Sequence, residues 1–135
     1  MTVHSWPEPV AGDIVWCRFP DKLEPPAKPR PALILRVQGE GPDCSVTVAY
    51  GTSKRTTTLH RGEFSILKLV NPVAYVAANL SYDTKFDLKQ LVDLPFTLEW
   101  FSVPPQAPHG QVPKLGTLHP SLVRVLQAAY AAALS

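Results

Sequence analysis

The chain has 135 residues, 13 Lys+Arg against 11 Asp+Glu, 45% apolar and 18% charged residues, a balance that suits one folded domain and excludes wholesale disorder. It holds no apolar run of the ~18 residues a membrane helix needs, and Met1–Pro9 lacks both the basic start and the apolar stretch of a secretory signal, so a cytoplasmic protein away from the membrane is expected. A net charge of +2 permits an anionic partner without requiring one.

Proline is the compositional outlier: 15 of 135 residues, about twice the usual ~5%. The prolines cluster between Pro20 and Pro31 and between Pro104 and Pro120. A residue with fixed φ and no N–H is excluded from central strands and helix interiors, so the clusters predict two long loops, over 20–30 and 99–115. Residues 1–11 read as an N-terminal extension of a single domain.

In chain order, Asp13–Phe19 alternates two apolar-rich faces after the Gly12-Asp13 turn signal and predicts a first strand. Arg30–Val37 predicts a second, with Pro31 tolerable at its start. Cys44, Val46, Val48 and Tyr50 alternate with Ser45, Thr47 and Ala49, predicting a third strand with one buried and one wet face, ended by Gly51. Glu63–Val70 reads as a strand and Val73–Leu80 as strand or helix. Short extended pieces are expected at Lys85–Leu88 and Leu98–Val103. Beyond Pro120, Leu122, Val125, Leu126, Ala129 and Ala133 have the spacing of an amphipathic helix packed across the sheet. Closely spaced strands with one terminal helix predict a mainly β (α+β) fold, a small SH3-like antiparallel barrel capped by a C-terminal α-helix.

Dinucleotide, P-loop and hydrolase-elbow signatures are absent. His4, His60, His109 and His119 have no metal-ligand spacing with each other or with Cys17 and Cys44, so no metal and no cofactor is expected. Both cysteines lie in apolar runs and read as small buried hydrophobes.

What remains is a set of polar residues at strand ends, where a rigid sheet can hold chemistry. Arg30 opens the second strand, and Thr52-Ser53 follow the third. Taken singly, each has an ordinary explanation: a solvated or ion-paired arginine, and hydroxyls serving their own turn. Lys54, Arg55, His60 and Arg61 form the most basic window, either a wet loop or a set of phosphate contacts. Tyr82-Asp83-Thr84-Lys85 places a carboxylate beside a lysine, as in a turn with a surface ion pair.

Gly12-Asp13-Ile14-Val15-Trp16, Arg30-Pro31-Ala32-Leu33-Ile34-Leu35, Thr52-Ser53 and Leu115-Gly116-Thr117-Leu118 occur in an order and spacing that resembles the MazF/PemK (Kid) family of type II toxin–antitoxin toxins. The resemblance spans roughly residues 11–134. It implies a homodimeric, metal-independent bacterial endoribonuclease that cuts single-stranded RNA by attack of the ribose 2′-hydroxyl, leaving a 2′,3′-cyclic phosphate and a 5′-hydroxyl. It implies also a cognate antitoxin protein, with which such toxins bind DNA.

By the same resemblance Arg30, Thr52 and Asp83 are the catalytic candidates; Lys28, Ser53, Lys54, Arg55, His60, Arg61 and Lys85 are the RNA-binding candidates. A guanidinium forks onto phosphate oxygens, hydroxyls add donors, and a carboxylate can take the 2′-hydroxyl proton. His60 is a second candidate acid or base. Ser81 stands where some relatives place a second catalytic arginine. The segment between Asp93 and Lys114 is longer than the family pattern, and the Pro20–Pro29 loop corresponds to one that gates RNA entry in relatives. Two other readings stay open. One is a non-catalytic SH3-like module binding RNA or peptide through Trp16, Tyr50 and Trp100. The other is a decayed toxin that binds RNA without cutting it.

Overall fold

A computed structural model describes residues 6–18 and 28–135. The remainder of the Pro20–Pro29 loop, including Lys22, and Phe19 of the first expected strand lie outside the described residues. The fold is mainly β: six antiparallel strands curl into a half-barrel with a C-terminal helix. The strands are β1 (Asp13–Cys17), β2 (Arg30–Gln38), β3 (Ser45–Thr52), β4 (Glu63–Ile66), β5 (Thr84–Pro95) and β6 (Lys114–Thr117), in the spatial order β4-β5-β3-β2-β1-β6. Helix α1 (Pro72–Ala77) lies between β4 and β5, and α2 (Val123–Leu134) closes the chain. Among the described residues no helix is long and apolar enough to cross a membrane.

Both faces of the sheet are covered. On one, Ile14, Leu33, Ala49, Phe64, Ile66 and Phe86 pack with Ala74 and Tyr75 of α1 and with Leu122 and Ala129 at the C-terminus. On the other, Val15, Cys17, Ala32, Ile34, Val46 and Val48 pack under Trp6, Leu94 and Phe101. Trp6 meets Phe96 edge-on at 5.4 Å, so the N-terminal extension belongs to this second core.

The double cover explains why the third strand departs from its alternating pattern. Thr47 and Ala49, expected on a wet face, are buried. The Thr47 hydroxyl donates to Asp93 of β5, which satisfies it there. Nor does Gly51 end the strand. It stays in the ladder opposite Phe86 because only a residue without Cβ fits: an added carbon would lie 2.6 Å from the Pro31 carbonyl oxygen.

Other boundaries shift for local reasons. Glu63–Val70 shortens to Glu63–Ile66, as a turn begins at Lys68. The ambiguous Val73–Leu80 run is helical from Pro72, whose missing N–H is harmless at the first helical position. Lys85–Leu88 is the start of the 12-residue β5. Leu98–Val103 is not an edge strand; it makes one bridge, Cys17 to Phe101. The C-terminal helix forms as expected, entered through a 3₁₀ turn at Pro120–Leu122, although Val125 stays exposed.

Candidate functional site

The β2–β3 ladder ends with Ala32 paired to Tyr50. Two residues further on each strand, the same antiparallel register brings Arg30 and Thr52 to one end of the sheet. They open onto a cleft of about 320 Å³, shared with Ser53, Ser81, Tyr82 and Trp16. Strand ends of a rigid sheet therefore bring the motif arginine and the motif threonine together.

Arg30 is exposed and has no carboxylate partner among the described residues. Thr52 Oγ1 accepts the Lys54 N–H at 3.2 Å, the local turn bond expected of it, which leaves its hydroxyl proton to donate elsewhere. Ser81 lines the same cleft and offers a hydroxyl there.

Asp83 does not line the cleft. Its Oδ1 accepts the Lys68 N–H at 2.7 Å, and with burial its charge helps to raise the Tyr75 phenol. This carboxylate braces the turn beside α1. Among the described residues the cleft is lined by no Asp, Glu or His.

Lys85 is also diverted from the RNA-contact role expected of it. It is buried, and its Nζ lies 3.2 Å from Glu63 Oε1 and donates to the Thr58 carbonyl at 3.0 Å. The ion pair expected between Asp83 and Lys85 is thus made with Glu63. Glu63 also accepts the His60 N–H at 2.6 Å. Burial alone would raise the Glu63 carboxyl, but the His60 N–H and the Lys85 ammonium outweigh it and hold the carboxyl below its ordinary value. The pair pins the loop that follows Thr52 at two points. Lys54, Arg55, His60 and Arg61 stand exposed on that loop, and Lys28 is exposed before Arg30.

The sequence reading passed over two cleft residues, Asn79 and Gln106, each in the left-handed backbone region at φ +55° and +68°. Asn79 ends α1: its N–H bonds the Val76 carbonyl and the Leu80 N–H the Tyr75 carbonyl, a Schellman cap in which Asn substitutes for Gly. Gln106 sits in a turn closed by Ala107 N–H to Pro104 C=O at 3.0 Å. The Pro104-Pro105 dipeptide was the only sequence signal for that turn.

Among the described residues no group of three or more His, Cys, Asp or Glu could hold a metal ion. Cys17 and Cys44 are free and buried. The class so defined is a small mainly β protein with an arginine, hydroxyls and aromatic rings at one end of its sheet, the arginine unpaired among the described residues. No family model and no curated protein matches the sequence.

Proposed function

We propose that the protein is a MazF/PemK-like endoribonuclease acting on single-stranded RNA, the toxin of a type II toxin–antitoxin pair. The observation that carries the reading is the meeting of Arg30 and Thr52 in one cleft, with the guanidinium free of any carboxylate among the described residues. A scissile phosphate would be gripped by the Arg30 fork, whose planar donors suit the developing phosphorane charge. Thr52 and Ser53 add hydroxyl donors, Tyr82 or Trp16 supplies a face for a base, and the exposed cations from Lys54 to Arg61 attract the flanking backbone.

Leu69, Val70, Val73 and Val76 form an exposed apolar run at the start of α1, which favours a partner chain and with it the homodimer. Light scattering gives the oligomeric state directly.

The cleft's lack of a carboxylate or imidazole among the described residues favours a second reading, an RNA-binding module of the same fold that does not cut. A positioned base contributes roughly 10²–10⁴ in rate, so a cleft without one holds RNA more readily than it turns it over. One experiment separates the two. Wild-type and Arg30→Ala proteins are incubated with long single-stranded RNA in excess EDTA, and fragments and end groups are mapped. Discrete cuts with 5′-hydroxyl ends that vanish in the variant support the ribonuclease; intact RNA retained by wild-type protein supports the binding module.

A further inference from the structure

We propose that Tyr82 is the general acid of the cleft, its phenol handing a proton to the 5′-oxygen as that oxygen leaves phosphorus. The inference rests on the ribonuclease reading of the cleft and names the group that completes its bond-breaking step.

Strand pairing brings Tyr82 to the site. Thr52 at the end of β3 lies opposite Lys85 near the start of β5, so the residues just before β5 reach the same end of the sheet as Arg30 and Thr52. Tyr82 lines the cleft with them. Its backbone is fixed on two sides. The buried Thr84 hydroxyl donates to the Tyr82 carbonyl at 2.8 Å, and the neighbouring Asp83 carboxylate accepts the Lys68 N–H at 2.7 Å. The ring itself is 72% exposed, and its hydroxyl has no hydrogen-bond partner among the described residues. A side chain rooted in this way and open at its tip keeps its O–H for a ligand.

Breaking the P–O5′ bond leaves an alkoxide, a base about as strong as hydroxide, and the bond breaks faster when a positioned group protonates that oxygen. Arg30 holds its protons too tightly to give one up. No carboxyl or imidazole lines the cleft among the described residues. The other O–H and N–H groups there, those of Thr52, Ser53 and Ser81 included, are weaker acids than a phenol. A phenol keeps its proton at neutral pH and still gives it to an alkoxide. Atoms and charge then balance: hydroxide takes the 2′-hydroxyl proton and becomes water, and the 2′-oxygen bonds to phosphorus as the P–O5′ bond breaks. The 5′-oxygen takes the Tyr82 proton, and the phenolate recovers one from water, which returns hydroxide. Arg30 holds the phosphorane charge while this happens.

The test compares wild-type protein with Tyr82→Phe, which keeps the exposed ring and loses only its hydroxyl. A cut site mapped on long single-stranded RNA supplies the sequence of one oligonucleotide, made in two versions. Its scissile linkage is either the natural P–O5′ or a P–S5′ bridge, whose thiolate leaves without a proton. Tyr82→Phe binds both within about twofold of wild type. In single turnover it cuts the natural linkage about 100-fold more slowly, yet cuts the sulfur-bridged one within about threefold of the wild-type rate. Equal rates on the natural linkage, or a loss of the same size on both linkages, overturns the proposal and leaves the ribonuclease reading standing. Wild-type protein that cuts no RNA overturns that reading and the proposal with it.

Discussion

The Lys85 ammonium lies 3.2 Å from the Glu63 carboxylate, both side chains about nine-tenths buried, and its remaining reach goes to the Thr58 carbonyl. One lysine thus links β4, β5 and the basic loop between β3 and β4. Because breaking a buried pair strands the surviving charge, Lys85→Met is expected to lower stability by about 3 kcal/mol, whereas Glu63→Gln with Lys85→Met recovers most of the loss. Urea unfolding of the wild-type protein and the two variants measures this.

The same pair sets a pH dependence. The Glu63 carboxyl is depressed in the folded protein, so its contribution is complete above the ordinary carboxylate value and fades as pH falls through the lower folded value. Wild-type protein should lose stability from about pH 5 downward, and the loss should be shallower in Glu63→Gln. Melting temperatures across pH 3–7 decide the matter.

The strands were readable where period and composition agreed. Ile14, Leu33 and Val48 sit in β1, β2 and β3 as their alternation requires, and Pro120 opens the terminal turn and helix. What the pattern could not convey was how many layers cover the sheet. Thr47 and Ala49 look like solvent positions until Phe101 and Trp6 on one side and the helices on the other are known to close both faces. The site was legible to the same depth. Arg30 and Thr52 are placed by strand register, which sequence encodes. Asp83 and Lys85 are placed by partners distant in sequence, Lys68 and Glu63, which it does not reveal.

Cys17 and Cys44 should resist alkylation in the native state. Burial pushes the Cys17 thiol up to about 12 against the lowering effect of Arg18, and burial with the Glu8 charge raises Cys44 as well. At pH 8 neither supplies much thiolate, the species that reacts. Iodoacetamide followed by mass spectrometry should find both unmodified in folded protein and both labelled after denaturation.

Two glycines hold the cleft's walls in place. A Cβ at Gly51 would lie 2.6 Å from the Pro31 oxygen and 2.9 Å from Phe86, and one at Gly116 would collide with the backbone of Ala78, beside Asn79. Gly51→Ala and Gly116→Ala are each expected to destabilise by about 1–3 kcal/mol. Since the Cβ added at either position runs into protein atoms, any loss of RNA affinity in the folded fraction reports displaced walls. Thermal unfolding and RNA binding measured on the same samples separate the two effects.

Arg30 is exposed, so its replacement should leave the fold intact. Its proposed role depends on a planar fork as well as on charge, which distinguishes Lys from Ala in a useful way. Arg30→Lys should retain much of the RNA affinity yet lose about tenfold or more in cleavage, while Arg30→Ala loses both. Thr52→Ala should slow cleavage by about tenfold and Thr52→Ser should restore it, because the hydroxyl is the donor in question. Single-turnover rates and binding constants on one RNA test all four.

The pH profile of cleavage tests the cleft's composition. Asp83 is held by Lys68, and no carboxylate or imidazole lines the cleft among the described residues, so the 2′-hydroxyl proton has no protein acceptor there. Solvent hydroxide is then the base, and the single-turnover rate should climb about tenfold per pH unit between pH 6 and 8.5. Arginine stays charged throughout that range and adds no curvature. A bell with limbs in this window would instead reveal a titrating acid and base. In that event His60→Gln and Asp83→Asn distinguish the candidates: whichever variant removes a limb carries the proton, and the mechanism gains the base that this geometry withholds.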